Sequence, residues 1–331
     1  MDFNTFKEKY EKVPVVEYAN NRKVKLPLVT IKVVTYNHEN YIQECLESLV
    51  NQKTDFDFEV LIAEDESSDT TRQICINFAE KYPNRIRLLL NSRENNIPIK
   101  GKPSGTFNSV YANFSARGKY LTTIEGDDYW LDMQSLQKRV DFLENNSEFV
   151  ACFHNTKVVN QQSLDEHLVF KLNEDKTIKF DDLLKVWIPT VSFLYRHKLI
   201  NLFDEDMKNI VCGDLILRGK LAEFGAAKYL HNIQPAVYRV HKGGVFSSQS
   251  LDVRNKLAIE GLQYLLNYYK IKNTNFEIKK SVSYLYLSYF VAHLKRDKKV
   301  VFNYVKLSFK YGNEVNYSFL QIIKDYFFSK F

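Results

Sequence analysis

Along the first 160 residues, short β-branched apolar runs alternate with segments whose apolar positions recur every three or four residues. That pattern predicts an α/β domain with a largely parallel sheet. Val29–Thr35 (VTIKVVT) is the first strand. After it, Asn40 with Gln43 three positions on is placed to cap a helix bearing Ile42, Leu46 and Leu49. A second run, 58–63, ends in EDESSD, where Asp69 can cap a helix with Ile74, Phe78 and Tyr82 on one face. Ile86–Leu90 gives a third strand. The loop beyond it gathers Pro98, Gly101, Pro103 and Gly105, the chemistry of a mobile turn-rich connection. Residues 107–117 read as a helix and 119–124 as a strand that runs directly into Glu125-Gly126-Asp127-Asp128-Tyr129-Trp130. Asp132 then caps a helix carrying Leu136, Val140 and Leu143. Residues 149–159 and 187–197 read as further strands, while the polar stretch 160–182 supports no assignment. Past residue 250 the period is helical throughout, with one stripe at Tyr284, Leu287, Val291 and Leu294 and another at Val315, Phe319, Ile322, Ile323 and Tyr326.

Composition divides the chain at the same place. The 331 residues are 45% hydrophobic and 26% charged with 11 Gly and 7 Pro, which excludes a fibrous or largely disordered protein. Residues 251–331 hold 14 Lys and Arg against 6 Asp and Glu, so the net charge of +6 is a +8 tail joined to a −2 remainder. The tail also carries much of an aromatic content of 14%. Two readings of it stand: a basic amphipathic helical region lying on an anionic membrane surface, or aromatic stripes packed against the rest of the chain or a second copy. No nucleic-acid motif accompanies the charge. Cys45, Cys75, Cys152 and Cys212 are widely spaced, form no metal-ligand pattern, and read as buried thiols of a reducing compartment. The charged start MDFNTFKEKYEKV lacks the apolar run of a signal peptide, and no stretch reaches the roughly 18 apolar residues of a membrane span. The expected location is the cytoplasm, including the inner face of the membrane.

In an open α/β sheet, ligands bind beyond the carboxyl ends of the strands. There the sequence delivers Thr35, Tyr36, Asn37 and His38 from the first strand, Glu64, Asp65 and Ser67 from the second, and Glu125, Asp127 and Asp128 from the fourth. No GxGxxG follows the first strand and no GxxxxGK[ST] occurs, so phosphate lacks its usual glycine cradle. Adjacent carboxylates at a strand end invite a hard cation, Mg²⁺ or Mn²⁺, that also takes phosphate oxygen. Acids that favour a helix dipole are the other reading. Gly126 between the acids, with Tyr129 and Trp130 behind them as a planar wall, favours the cation.

The succession TYNHENYI, IAEDESSDTT and GKYLTTIEGDDYW, followed by LQKRVDFLENN, resembles family 2 of the nucleotide-sugar glycosyltransferases, of the bacterial surface-glycan type, over about residues 26–250. The resemblance implies the GT-A fold, a Rossmann-like mixed sheet flanked by helices, over 1–250. A helical N-terminal extension (1–26) would precede it and a helical region (251–331) for docking or oligomerisation would follow. It implies that Thr35, Tyr36, Asn37, Glu39 and Asp65 hold the nucleotide, with Asn108 nearby. The family's DxD falls on Glu125-Gly126-Asp127. The Glu in first place leaves Asp127 as main metal ligand and Glu125 nearer a ribose. Asp128 and His241 complete the implied metal set.

Cys212-Gly213-Asp214-Leu215 resembles the motif that supplies the catalytic base, and Tyr238 to Gly244 the segment that closes over the diphosphate with Arg239 and Lys242. Asp214 as the N-cap of a helix over 215–223 is the competing reading. The activity implied is inverting, metal-dependent transfer of a sugar from a UDP-type donor to a glycan or lipid-linked acceptor. A non-catalytic nucleotide-sugar or glycan-binding subunit is the alternative. A nucleotidyltransferase would need a glycine-rich basic loop where TYNHEN stands. His154, His167, His197, His231 and His293 have no partner at a telling spacing.

Overall fold

The computed structural model describes residues 1–18, 26–184, 186–201, 203–241, 249–271, 286 and 305–310. The elements are α1 (Phe3–Tyr10), β1 (Val16–Glu17), β2 (Val29–Thr35), α2 (Ile42–Val50), β3 (Phe58–Glu64), α3 (Thr71–Lys81), β4 (Ile86–Leu90), α4 (Thr106–Ser115), β5 (Tyr120–Glu125), β6 (Tyr129–Trp130) and α5 (Ser135–Asn145). There follow β7 (Phe149–Phe153), β8 (Thr156–Asn160), β9 (Glu166–Leu168), β10 (Lys176–Ile178), α6 (Phe180–Leu183), β11 (Phe193–Arg196), α7 (Gly213–Leu221), β12 (Ala226–Tyr229), β13 (Ala236–Val240) and α8 (Leu251–Ile271). The helical stripes expected at 284–294 and 315–326, and Lys242 to Gly244, lie outside the described residues, apart from residue 286.

A nine-stranded sheet runs in the order β1-β4-β3-β2-β5-β11-β7-β12-β10. Its centre, β4-β3-β2-β5, is parallel, and β1 and β11 join antiparallel, so the sheet is mixed rather than largely parallel. The central strands are covered on both faces, which is why β2 reads as a nearly unbroken β-branched run and β3 as a largely apolar one; Ile31, Val33, Val60 and Ile62 are fully buried on one face and Thr30, Leu61 and Ala63 on the other. A four-stranded sheet, β6-β13-β8-β9, stands beside the first.

The single strand expected over 149–159 divides at His154–Asn155, and its halves, β7 and β8, enter different sheets. The Asn155 side chain bridges the break, donating to the Phe170 carbonyl at 2.8 Å and accepting its N–H at 3.0 Å. Helix α2 is not capped by Asn40: Tyr41 occupies the cap position without a side-chain bond, and the His38 carbonyl accepts the Tyr41 and Ile42 N–H groups. The cap position of α3 falls to Thr70 rather than Asp69, whose side chain still accepts the N–H of Thr71 at 3.0 Å, where the helix starts. Asp132 accepts the Gln134 N–H at 2.8 Å, one residue before α5 begins.

Two compact units emerge. The first comprises 1–177, 188–209 and 227–248, and the second 178–187, 210–226 and 249–331. Within the second, α7 and α8 approach closely because residue 219 is glycine: a Cβ there would lie 2.6 Å from Leu265 Cδ1. The Tyr269 hydroxyl fills the same contact, donating to the Gly219 carbonyl at 2.5 Å. Among the described residues no helix is long and apolar enough to cross a membrane.

Candidate active site

Register brings the strand ends to one edge. Thr35 stands opposite Glu64, Val34 opposite Glu125, and Glu64 opposite Leu90, so β2, β3, β4 and β5 finish together. The turn after β5 packs onto the turn after β2 at Gly126. A Cβ at residue 126 would meet Thr35 Oγ1 at 2.6 Å and His38 Nδ1 at 2.8 Å, which makes glycine the residue the EGDD turn requires.

The short strand β6 continues that turn directly and pairs antiparallel with β13, Val237 opposite Tyr129. This pairing carries the residues after Val237 back alongside Asp127 and Asp128. His241 Nε2 lies 2.9 Å from Asp127 Oδ2, and His38 Nε2 lies 3.9 Å from the same oxygen. Burial alone would raise the Asp127 carboxyl, but the His241 hydrogen bond and the neighbouring His38 hold it below the usual carboxylate range. Burial lowers His38, with Asp127 opposing. Glu125, half-buried, is pushed up to about 7 by loss of solvent around its carboxyl, against a 2.8 Å hydrogen bond it accepts from the Thr190 hydroxyl.

Three expected roles change here. Arg239, expected on the diphosphate, is buried in the wall: Nη1 donates to the Asp127 carbonyl at 2.6 Å, Nη2 to Glu44, and the guanidinium stacks 4.4 Å from the Tyr129 ring. It braces the EGDD turn. Asp128, expected on the metal, is 1% exposed; its Oδ1 accepts the Arg239 N–H at 2.9 Å and Oδ2 has no hydrogen-bond partner among the described residues. Burial raises its carboxyl strongly, reinforced by Asp127 and Glu125. Trp130 forms no planar wall beside the site. It is buried, donating from Nε1 to the Val191 carbonyl at 2.7 Å, with Arg139 4.3 Å from its ring.

At the β3 end, Asp65 Oδ2 accepts from Arg93 Nη1 at 2.7 Å, and the Arg93 guanidinium lies 4.0 Å over the ring of Tyr36. Tyr36, at 38% exposure, offers the open aromatic face of this bracket. Burial pushes Asp65 up to about 7 against the pull of Arg93. Sequence reasoning named Tyr36 and Asp65 but passed over Arg93, although it follows strand β4 at the same edge and the strand-end rule reaches it. His38 was seen only as one polar group among several, and Thr190 not at all.

Asn37 and Glu39 tie the two turns together. Asn37 accepts the Ser68 N–H at 2.9 Å and gives its own N–H to Ser67 Oγ at 2.9 Å; Glu39 accepts from the Thr70 hydroxyl at 2.8 Å. Asn108 is buried, donating to the Ala63 carbonyl at 2.8 Å and accepting from Asn91. Asn108 thus supports the edge from within, whereas Asn37 and Glu39 are exposed on it.

Asp214 belongs to the second unit. It is not the N-cap of α7, a position held by Cys212; it sits in the first turn, where Oδ2 accepts from Arg218 Nη1 at 2.9 Å. Among the described residues no group of three or more His, Cys, Asp or Glu is arranged to hold a metal. Asp127 and His241, one carboxylate and one imidazole 2.9 Å apart, are nevertheless donors of the kind a divalent ion takes.

The central mixed sheet flanked by helices matches the GT-A fold of TarS from S. aureus. That protein matches with a TM-score of 0.55 at 21% identity, covering 82% of this chain and 44% of that one. The family model for glycosyl transferase family 2 matches residues 30–203, more than half of the chain, and the chain belongs to that family. An uncharacterized protein of Mycobacterium tuberculosis is 34% identical over 232 residues, covering 68% of this chain and 62% of that protein. This chain therefore spans about six-tenths of that relative's length. Chondroitin synthase of Pasteurella multocida is 28% identical over 274 residues, 81% of this chain and 26% of the synthase. A mannosyltransferase of Pyrobaculum calidifontis, solved with GDP-Man and Mn²⁺, matches with a TM-score of 0.51 at 15% identity, covering 98% and 93% of the two chains.

Proposed function

We propose that this chain is an inverting, metal-dependent glycosyltransferase that moves a sugar from a nucleoside-diphosphate donor, UDP foremost, to a hydroxyl of a glycan or lipid-linked acceptor in surface polysaccharide synthesis. The observation that carries the reading is the edge itself: Tyr36, Arg93 and Asp65 at one end suit a nucleoside, and Asp127 with His241 at the other suit the charged diphosphate. Two resemblances support the substrate class. A TarS fragment matching this chain with a TM-score of 0.52 was solved with UDP-GlcNAc, and the chondroitin synthase builds a glycan by its name.

In this reading the Tyr36 ring stacks on the base, Asp65 accepts a base N–H, and Arg93 holds both in place. Glu125 meets the ribose. Asp127 and His241 hold Mn²⁺ or Mg²⁺, which when bound supplies positive charge against the leaving diphosphate. Arg239 and Asp128 keep the EGDD turn in shape, and Lys242 adds a cation from the segment after His241. Asp214 is the general base: its carboxylate takes the proton as the acceptor oxygen bonds to the anomeric carbon and the bond to the diphosphate breaks. The basic tail docks the enzyme on an anionic membrane surface or a second copy, at the cytoplasmic face.

The test is a panel of UDP- and GDP-sugars assayed for Mn²⁺-dependent thermal stabilisation and turnover, with Asp214→Asn beside the wild type. Metal-dependent stabilisation by a nucleotide-sugar in both proteins, with turnover only in the wild type, is the expected result. Equal turnover in Asp214→Asn removes that residue from its role. Stabilisation without any turnover moves the chain to the binding-subunit alternative.

A further inference from the structure

The N-terminal arm is tied to the nucleotide end of the edge through one side chain. Val13 donates its N–H to Asn95 Oδ1 at 2.8 Å, and Asn95 Nδ2 donates to the Val13 carbonyl at 2.7 Å. One amide thus pairs with one residue's backbone in both directions, as a rung of a β-ladder does. Asn95 is 1% exposed and closes the 3₁₀ turn Arg93–Asn95. That turn carries the guanidinium that bridges Asp65 and Tyr36.

The arm grips the chain on both sides of this turn. After Val13, β1 pairs with β4, Val16 opposite Leu90, and Tyr18 N–H donates to the Leu88 carbonyl at 2.8 Å. Glu17 accepts from Arg87 Nε and Nη2, each at 3.0 Å. Before Val13, Phe6 of α1 is fully buried in a cluster with Ile97, Phe107 and Phe203. Strand β4 leads into the turn and Ile97 leaves it. A short 3₁₀ turn has poor internal hydrogen bonding, so its position depends on what holds it from outside. With the arm's backbone removed, a buried amide would lose two partners.

We propose that residues 1–18 form a positioning arm for nucleotide recognition, with Asn95 the positioning residue that holds Arg93 against Asp65 and Tyr36. Asn95 does not touch the nucleotide; it acts through Arg93. The inference rests on the reading of Tyr36, Arg93 and Asp65 as the nucleoside bracket.

The experiment is UDP binding by calorimetry to the full chain as wild type, Asn95→Ala, Arg93→Ala and the double variant, with donor turnover measured alongside. Leu143→Ala, a cavity in the core at α5, serves as a stability control. Asn95→Ala is expected to weaken UDP about 5- to 20-fold, the size of coupling between contacting residues, and to raise KM more than it lowers kcat. In the Arg93→Ala background the same change adds nothing, and Leu143→Ala lowers Tm while leaving UDP affinity in place. Should Asn95→Ala fail to fold, Asn95→Asp keeps the acceptor for Val13 N–H, loses the donor, and is expected to bind with intermediate affinity. Wild-type affinity in Asn95→Ala (or in Asn95→Asp, if that is the variant that folds), or effects of Asn95 and Arg93 that multiply, overturns the inference while the nucleoside reading stands. If Arg93→Ala binds UDP like the wild type, or the wild type binds none, the nucleoside reading fails and the arm's role with it.

Discussion

Asp127 and His241 are separated by 114 residues in the chain and by 2.9 Å in the fold. The pair exists because β6, two residues long, follows the acidic turn without a break and recruits β13 as its partner. Removing the imidazole leaves a half-buried carboxylate without its main hydrogen bond, and removing the carboxylate takes the negative charge from the pair. Asp127→Asn and His241→Ala are each expected to weaken Mn²⁺ binding in the presence of UDP by about 100-fold, read by calorimetry. Unchanged Mn²⁺ affinity in both variants would take the metal away from this pair.

Gly126 marks the tightest approach of the two turns. Its missing Cβ is what allows Thr35 Oγ1 and His38 Nδ1 to sit where a side chain would place atoms 2.6 and 2.8 Å away. Gly126→Ala is expected to cost about 1–3 kcal/mol of folding stability in urea titrations, the range for overpacking a tight contact. Donor affinity should fall with it, because the turn that moves is the one carrying Asp127.

Arg239 is held by the Asp127 carbonyl, by Glu44 and by the Tyr129 ring at once. A lysine keeps the charge but has neither the planar face nor two donors at fixed separation. Arg239→Lys is therefore expected to lower donor turnover by about 10-fold or more while circular dichroism stays native. Wild-type turnover would show that the brace is dispensable.

Asp65 sets a pH dependence. Folding lifts its carboxyl from 3.8 to about 7, so between those values the folded chain keeps a proton that the unfolded chain has released. The stability it contributes is complete below the lower value and is lost as pH rises through the upper one. Nucleotide affinity should move the opposite way, strengthening from about pH 6 to about pH 8 as the carboxylate that accepts the base N–H forms. Asp65→Asn should flatten both trends. A flat UDP affinity in the wild type over that interval would remove Asp65 from the nucleoside.

Much of the edge was legible in the chain because strand ends are local events. A β-branched run stops, polar residues follow, and in a parallel sheet such stops align; Thr35, Tyr36, Asp65, Glu125 and Asp127 were found that way. The four cysteines, read as buried thiols, are free and buried. Arg93 carries no such local mark, because the third strand's exit leads into a stretch whose prolines and glycines read only as a turn-rich loop.

The sequence by itself determined the alternation of strand and helix, the order in which the polar ends appear, and the acidic turn with its glycine. Those follow from periodicity and backbone chemistry within about ten residues. Which groups in that inventory are buried and paired with one another was decided by the tertiary structure alone. Arg239 and Asp128 looked like ligand groups in sequence, yet the fold gives the Arg239 guanidinium to the Asp127 carbonyl and Glu44 and buries Asp128 under the Arg239 N–H, because β13 lays its backbone against the acids. Trp130 turned inward for the same reason that Tyr129 stacks on Arg239: successive residues of a strand point to opposite faces. A charge declares its type in the sequence, but its free valence depends on neighbours brought from a hundred residues away.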